Sequence, residues 1–187
     1  MGFAYKAFAP GLKCRDYQYK IGLNVFDEAN CVKNGAHCCE EPFNCLDYYG
    51  SFEDNEFYLV YADGEVHEDG SDTKIACTHL EIISRLTVYD FVSEELNYIA
   101  RHYPQRVFHR SIKHDKGTVD REDNPFVAVL GKHPMARGRK IGDVLGMAAT
   151  SWDEQEVVQL GIIVIDGDKF KQDVWYDING REVGNDE

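Results

Sequence analysis

Beyond Phe126 the chain is a succession of short apolar runs broken by turn signals, and that pattern confines its second half to β-structure. FVAVL, KIGDVLGMAA, EVVQLGIIVI and DVWYDI follow one another. Most are rich in β-branched or aromatic residues, which suit a pleated, half-buried surface. Asp166-Gly167 and Asn179-Gly180 read as hairpin turns of the I′ kind, whose central positions need φ > 0. The expectation for residues 126–187 is an antiparallel β meander.

The first half reads as mixed. Tyr5–Phe8 is a short strand, and Cys14–Phe26 is a strand with a turn at Gly22. Cys31–Val32, the turn Asn34-Gly35 and a helix opened by Pro42 follow; proline suits that position because its missing N–H would be unpaired there anyway. Glu56–Gly64 is a strand running into an Asp-Gly turn, EVHEDGSDTK a polar loop, and Ile75–Ile83 another strand. Thr87 can cap a helix whose Val88, Val92, Leu96, Ile99 and Tyr103 form an apolar stripe, and Pro104 stops it. The charged, apolar-poor stretch 113–125 reads as a linker between an N-terminal domain, 1–112, and a C-terminal hairpin region, 126–187. The expected fold class is therefore α+β and strand-dominated, with two helices in the first half.

The length of 187 residues and 43% hydrophobic content fit a globular chain that needs no staples. No apolar run approaches the ~20 residues of a membrane helix. No signal-peptide core is present, and Lys6 stands where myristoylation needs Ser or Thr. A cytoplasmic protein with reduced thiols is expected. Net charge is −13, unevenly spread: −11 over residues 1–100, +6 over 101–140 and −8 over 141–187. Such acidity argues against coating nucleic acid. It suits contact with a basic protein partner, for which Glu65, Glu68 and Asp69 are candidates.

Unusual side chains concentrate in CVKNGAHCCEEPFNCLDYYG, Cys31–Gly50. Cys31, His37, Cys38, Cys39 and Cys45 are zinc-type ligands. The segment has no C-x₂-C pair, and adjacent cysteines rarely share an ion, so no metal is expected. His37 adjoins Cys38, but neighbours in extended chain point apart, which favours core thiols over a nucleophile. Downstream, KHPMARGRK offers Arg137, Arg139 and Lys140 among glycines as a phosphate-binding loop.

Three segments together resemble a family encoded in phage and prophage genomes: YKAF with CRDYQYKIG, the C-x-x-x-G-x-H-x-C-x-x-P stretch with its Tyr-Tyr, and DGDKFKQDVWYDINGREV. Family counterparts look like YKAF…CRGFQYEVGKTY and VDG-x-x-IK-x-DTWY-x-L-x-G. Here Asp16 replaces a glycine and Ala36 an aromatic residue. The resemblance implies a setting, mobile elements in a host cytosol, and not a reaction. Combined with the acidic charge, that setting leads to the expectation of a non-enzymatic accessory protein that binds a host factor through its acidic surface, for instance a nucleic-acid-handling defence enzyme, with no cofactor. A structural or virion-associated role is a further expectation. The order of elements also resembles ADP-ribosyltransferases. Carried over, Arg15 would anchor NAD, His37 and Tyr49 would frame the nicotinamide, and Glu81 would be the acid that stabilises an oxocarbenium-like transition state.

Overall fold

The computed structural model describes residues 2–31, 33–68 and 73–184. Contacts divide the chain into two units, Met1–Thr87 and Val88–Glu187.

The first unit contains β1 (Gly2–Phe8), the two-residue strands β2 (Lys13–Cys14) and β3 (Tyr17–Gln18), β4 (Gly22–Val25), β5 (Ala36–Cys39), β6 (Glu56–Glu68) and β7 (Lys74–Arg85). β6 and β7 form a long antiparallel hairpin, β1 runs along β6, and β5 bridges β1 to β7. The sheet thereby closes on itself, and β4 continues the β5 side of β7. Closure leaves room only for small or well-packed side chains. Ala4, Ala36, Cys38, Ala62 and Cys77 fill the interior between Phe8, Val60, Leu80 and Ile82. Closure pairs β6 on both sides, with β1 and β7, and among the described strands leaves β4 paired only with β7.

Two glycines make the geometry possible. Gly35 has φ +82°, and a Cβ there would lie 2.9 Å from Ala29 Cα and from the Glu28 carbonyl. Gly64 has φ +76° and sits where the β6–β7 register shifts, between Asp63 and Val66. The Asp63-Gly64 pair is thus a bulge inside one strand and not a turn. β6 therefore runs on to Glu68, through residues expected to be loop.

The second unit holds α1 (Val88–His102), β8 (Lys113–Thr118), β9 (Phe126–Arg137), β10 (Val144–Thr150), β11 (Val157–Val164), β12 (Trp175–Asp177) and β13 (Glu182–Val183). The charged stretch 113–125 contains β8, which pairs in parallel with β9. β9 pairs in parallel with β10, Phe126 beside Val144 and Gly131 beside Ala149, a constant offset of 18 residues. The chain thus winds once in about 18 residues and lays each strand beside the last, as a solenoid does. Antiparallel β11 and β12 cover β10 and the end of β9. α1 buries Phe91, Val92, Leu96 and Ile99, and packs on β9, β10 and β11.

The expected α+β class is therefore corrected to mostly β. Strands take 49% of the described residues and helices 12%, and among them only α1 is a full α-helix. The segment begun by Pro42 is a 3-10 helix, Pro42–Asp47. The expected antiparallel meander is corrected too, since β8, β9 and β10 are parallel neighbours.

Candidate functional site

Strand parity places an ammonium inside the barrel. Along β1, Ala4, Lys6 and Phe8 share one side, and all three are buried, Lys6 at 5% exposure. Lys6 Nζ donates to the His37 carbonyl at 2.6 Å and approaches Cys14 Sγ at 3.8 Å. It also lies 5.1 Å from the ring centres of Phe8 and Tyr19. No carboxylate among the described residues pairs with it.

Lys6 borders a cavity of about 720 Å³ in the first unit. β1 contributes Tyr5, Lys6 and Ala7, the β2–β3 hairpin contributes Cys14 to Tyr17, and β5 contributes His37, Cys38 and Cys39. Tyr48 and Tyr49 arrive from the end of the 3-10 helix, and Lys33 and Lys74 stand at the rim. The hairpin turns at Arg15, whose φ of 53° costs a non-glycine residue roughly 1–3 kcal/mol. Tyr17, Tyr19 and Phe26 form one aromatic cluster, with ring centres 4.6 to 5.9 Å apart. Lys74 Nζ donates to the Tyr48 hydroxyl at 3.0 Å. Among the described residues Asp16 is the lone carboxylate on the lining.

Titration behaviour follows from this packing. Burial lowers the His37 imidazole below its ordinary value, and Lys6, Lys74 and Arg15 push the same way. All three cations line the same cavity as His37. Burial raises the Tyr49 phenol, and its hydrogen bond to Cys14 adds to the rise. Along the cavity wall the Cys38 thiol is hydrogen-bonded to Cys77 behind it, and Cys39 to Cys45. The Cys38 contact and Lys6 lower Cys77. All six cysteines are free thiols, and no group of three or more His, Cys, Asp or Glu among the described residues is arranged to hold a metal.

Arg15, His37 and Tyr49 all line this cavity. Glu81 does not: on β7, Leu80 and Ile82 point inward at 0% and 1% exposure, and Glu81 between them points to solvent. Glu65 and Glu68 are exposed on β6, and Asp69 lies outside the described residues. In the second unit Arg137 is part of β9 and lies over the Trp175 ring at 4.9 Å. Lys140 pairs with Glu122 at 3.2 Å. The backbone amides of Arg139 and Lys140 donate to Asp143 Oδ2 at 2.7 and 3.0 Å, so an internal carboxylate takes the place a phosphate would need. Lys6 is the residue that sequence reasoning missed, and its inward parity with Ala4 and Phe8 was the available signal. No helix among the described residues is long and apolar enough to cross a membrane.

Residues 3–94 match the model of a family described as Domain of unknown function (DUF7666). No curated protein and no solved structure matches the chain.

Proposed function

We propose that the first unit is a recognition module for a small anionic ligand that carries an aromatic ring, of the nucleotide class. The observation that carries this reading is the buried Lys6 ammonium, without a carboxylate partner among the described residues, on the wall of a cavity of about 720 Å³. A buried charge lacking a counter-ion costs several kcal/mol, and an anion in the cavity offsets that cost. Arg15, Lys33 and Lys74 on the same lining add cationic donors. Tyr17, Tyr48 and Tyr49 supply ring faces, and base–aromatic stacking contributes ~1–3 kcal/mol. The volume falls within the usual ~300–1,000 Å³ of small-molecule sites.

Recognition is favoured over ADP-ribosyl transfer because Glu81, the expected acid, points away from the cavity, while Arg15, His37 and Tyr49 line it. Calorimetry with ADP, NAD, inorganic phosphate and adenosine tests the reading. ADP should bind best, phosphate more weakly and adenosine least, and Arg15→Gln should weaken ADP. Absence of saturable heat with both ADP and phosphate would refute it.

A second reading rests on the net charge of −13 and on exposed Glu65 and Glu68. In it the chain is an accessory protein of the phage or prophage kind that docks on a basic host protein in the cytoplasm. Charge reversal at Glu65 and Glu68 should then slow association steeply at low salt.

A further inference from the structure

We infer that Cys14 is a covalent modification site of this protein, selective for small anionic electrophiles; this rests on the anion-binding reading of the cavity. Cys14 ends β2 on the cavity wall and is half-buried. The other half-exposed cysteine, Cys31, is not on that wall, and Cys38, Cys39, Cys45 and Cys77 are buried. Lys6 Nζ lies 3.8 Å from the Cys14 sulfur, and Arg15 and Tyr49 share the lining. An ammonium beside the sulfur attracts an anionic reagent to it.

Lys6 is the second, independent pointer. It is at least nine-tenths buried, lines the cavity, and among the described residues has one oxygen acceptor, the His37 carbonyl, for its three N–H groups. Arg15 follows Cys14 directly and is held at the rim by the left-handed turn conformation. An incoming anion thus meets Arg15 first and Lys6 beside the sulfur. For an alkyl halide bearing a carboxylate, the sulfur electron pair attacks carbon, the S–C bond forms, and the C–halogen bond breaks. Halide leaves with the bonding pair, and the thiol proton passes to the buffer. No oxidant or reductant is needed.

Iodoacetate and iodoacetamide separate the claims, because they deliver nearly the same carbon with and without negative charge. A simple thiolate repels iodoacetate and reacts faster with the amide, and the urea-denatured chain supplies that reference for all six cysteines. In the native protein, peptide mapping should find Cys14 modified first. Its ratio of iodoacetate to iodoacetamide rate should exceed the denatured ratio by roughly tenfold or more, the low end of electrostatic focusing into a charged cleft. Lys6→Met should abolish the excess. Arg15→Gln, a change at an exposed turn that leaves the core untouched, should reduce it. Modification of Cys31 ahead of Cys14 overturns the inference. So does a native ratio at Cys14 equal to the denatured one, which also removes the anion reading. If ADP binds calorimetrically while Cys14 stays inert to both reagents, the inference fails and the recognition module stands.

Discussion

Replacing Lys6 by methionine should leave the ligand-free protein about as stable as before, while abolishing anion binding. The side chain is buried in the barrel with one strong acceptor, the His37 carbonyl at 2.6 Å, and two aromatic rings at 5.1 Å. Truncating its charge removes that charge-assisted hydrogen bond, worth about 1.5–3 kcal/mol. Loss of the two cation–π contacts costs about 0.5–2 kcal/mol each. Against this stands relief of a buried ion that no carboxylate among the described residues neutralises, worth several kcal/mol. Methionine fills the vacated space with a flexible apolar chain. The two sides are of similar size, so a net within about 2 kcal/mol of zero is expected. Urea unfolding of both proteins at pH 7 reads it as a shift in midpoint at constant slope. A loss of more than ~2 kcal/mol in Lys6→Met would refute the reasoning, because Lys6 would then be a structural hub whose contacts outweigh its charge.

Three further outcomes are expected. Gly35→Ala should destabilise the first unit by ~2–4 kcal/mol, from the φ of +82° and a Cβ 2.9 Å from two backbone atoms; urea unfolding checks it. Stability should also depend on pH through His37, whose folded-state value is lowered by burial and by Lys6, Lys74 and Arg15. The unfolded chain takes up the proton first, so the contribution is complete above pH ~6.5 and is lost as pH falls through the folded value. Unfolding midpoints of wild type and His37→Gln across pH 5–8 should show that loss in wild type alone, and saturating phosphate should lessen it. In the second unit, Leu96→Ala should cost ~2–5 kcal/mol, because Leu96 is 1% exposed on the face of α1 that covers the sheet; an effect below ~0.5 kcal/mol would mark that face as exposed in solution.

What the sequence disclosed tracks what local chemistry decides. The stripe on α1 was legible because Val92, Leu96 and Ile99 recur at helical spacing, and the Gly35 turn because no other residue fits a positive φ at such close approach. The convergence of Arg15, His37 and Tyr49 on one cavity was suggested by element order. Glu81 could have been set apart from them by parity, since Leu80 and Ile82 claim the interior of β7. Strand direction was not legible. An apolar run such as FVAVL says that it will pair and not with which neighbour, so the 18-residue offset between β9 and β10 emerged only in three dimensions. The same is true of KHPMAR, whose charges suggested a loop, although its backbone completes β9. Lys6 escaped notice because lysines are almost never fully buried, and its burial depends on closure of the barrel, a long-range event.

The central claim is that the first-unit cavity holds an anion between Lys6, Arg15 and the tyrosines. Titrating ADP into isotopically labelled protein and following backbone amide resonances tests it most directly. The account predicts saturable shifts confined to the lining, at Lys6, Cys14 to Tyr17, Gly35, His37, Tyr48, Tyr49 and Lys74, with those of Glu65 and Glu81 unmoved. Saturable shifts located elsewhere, or none at millimolar ADP, would contradict it.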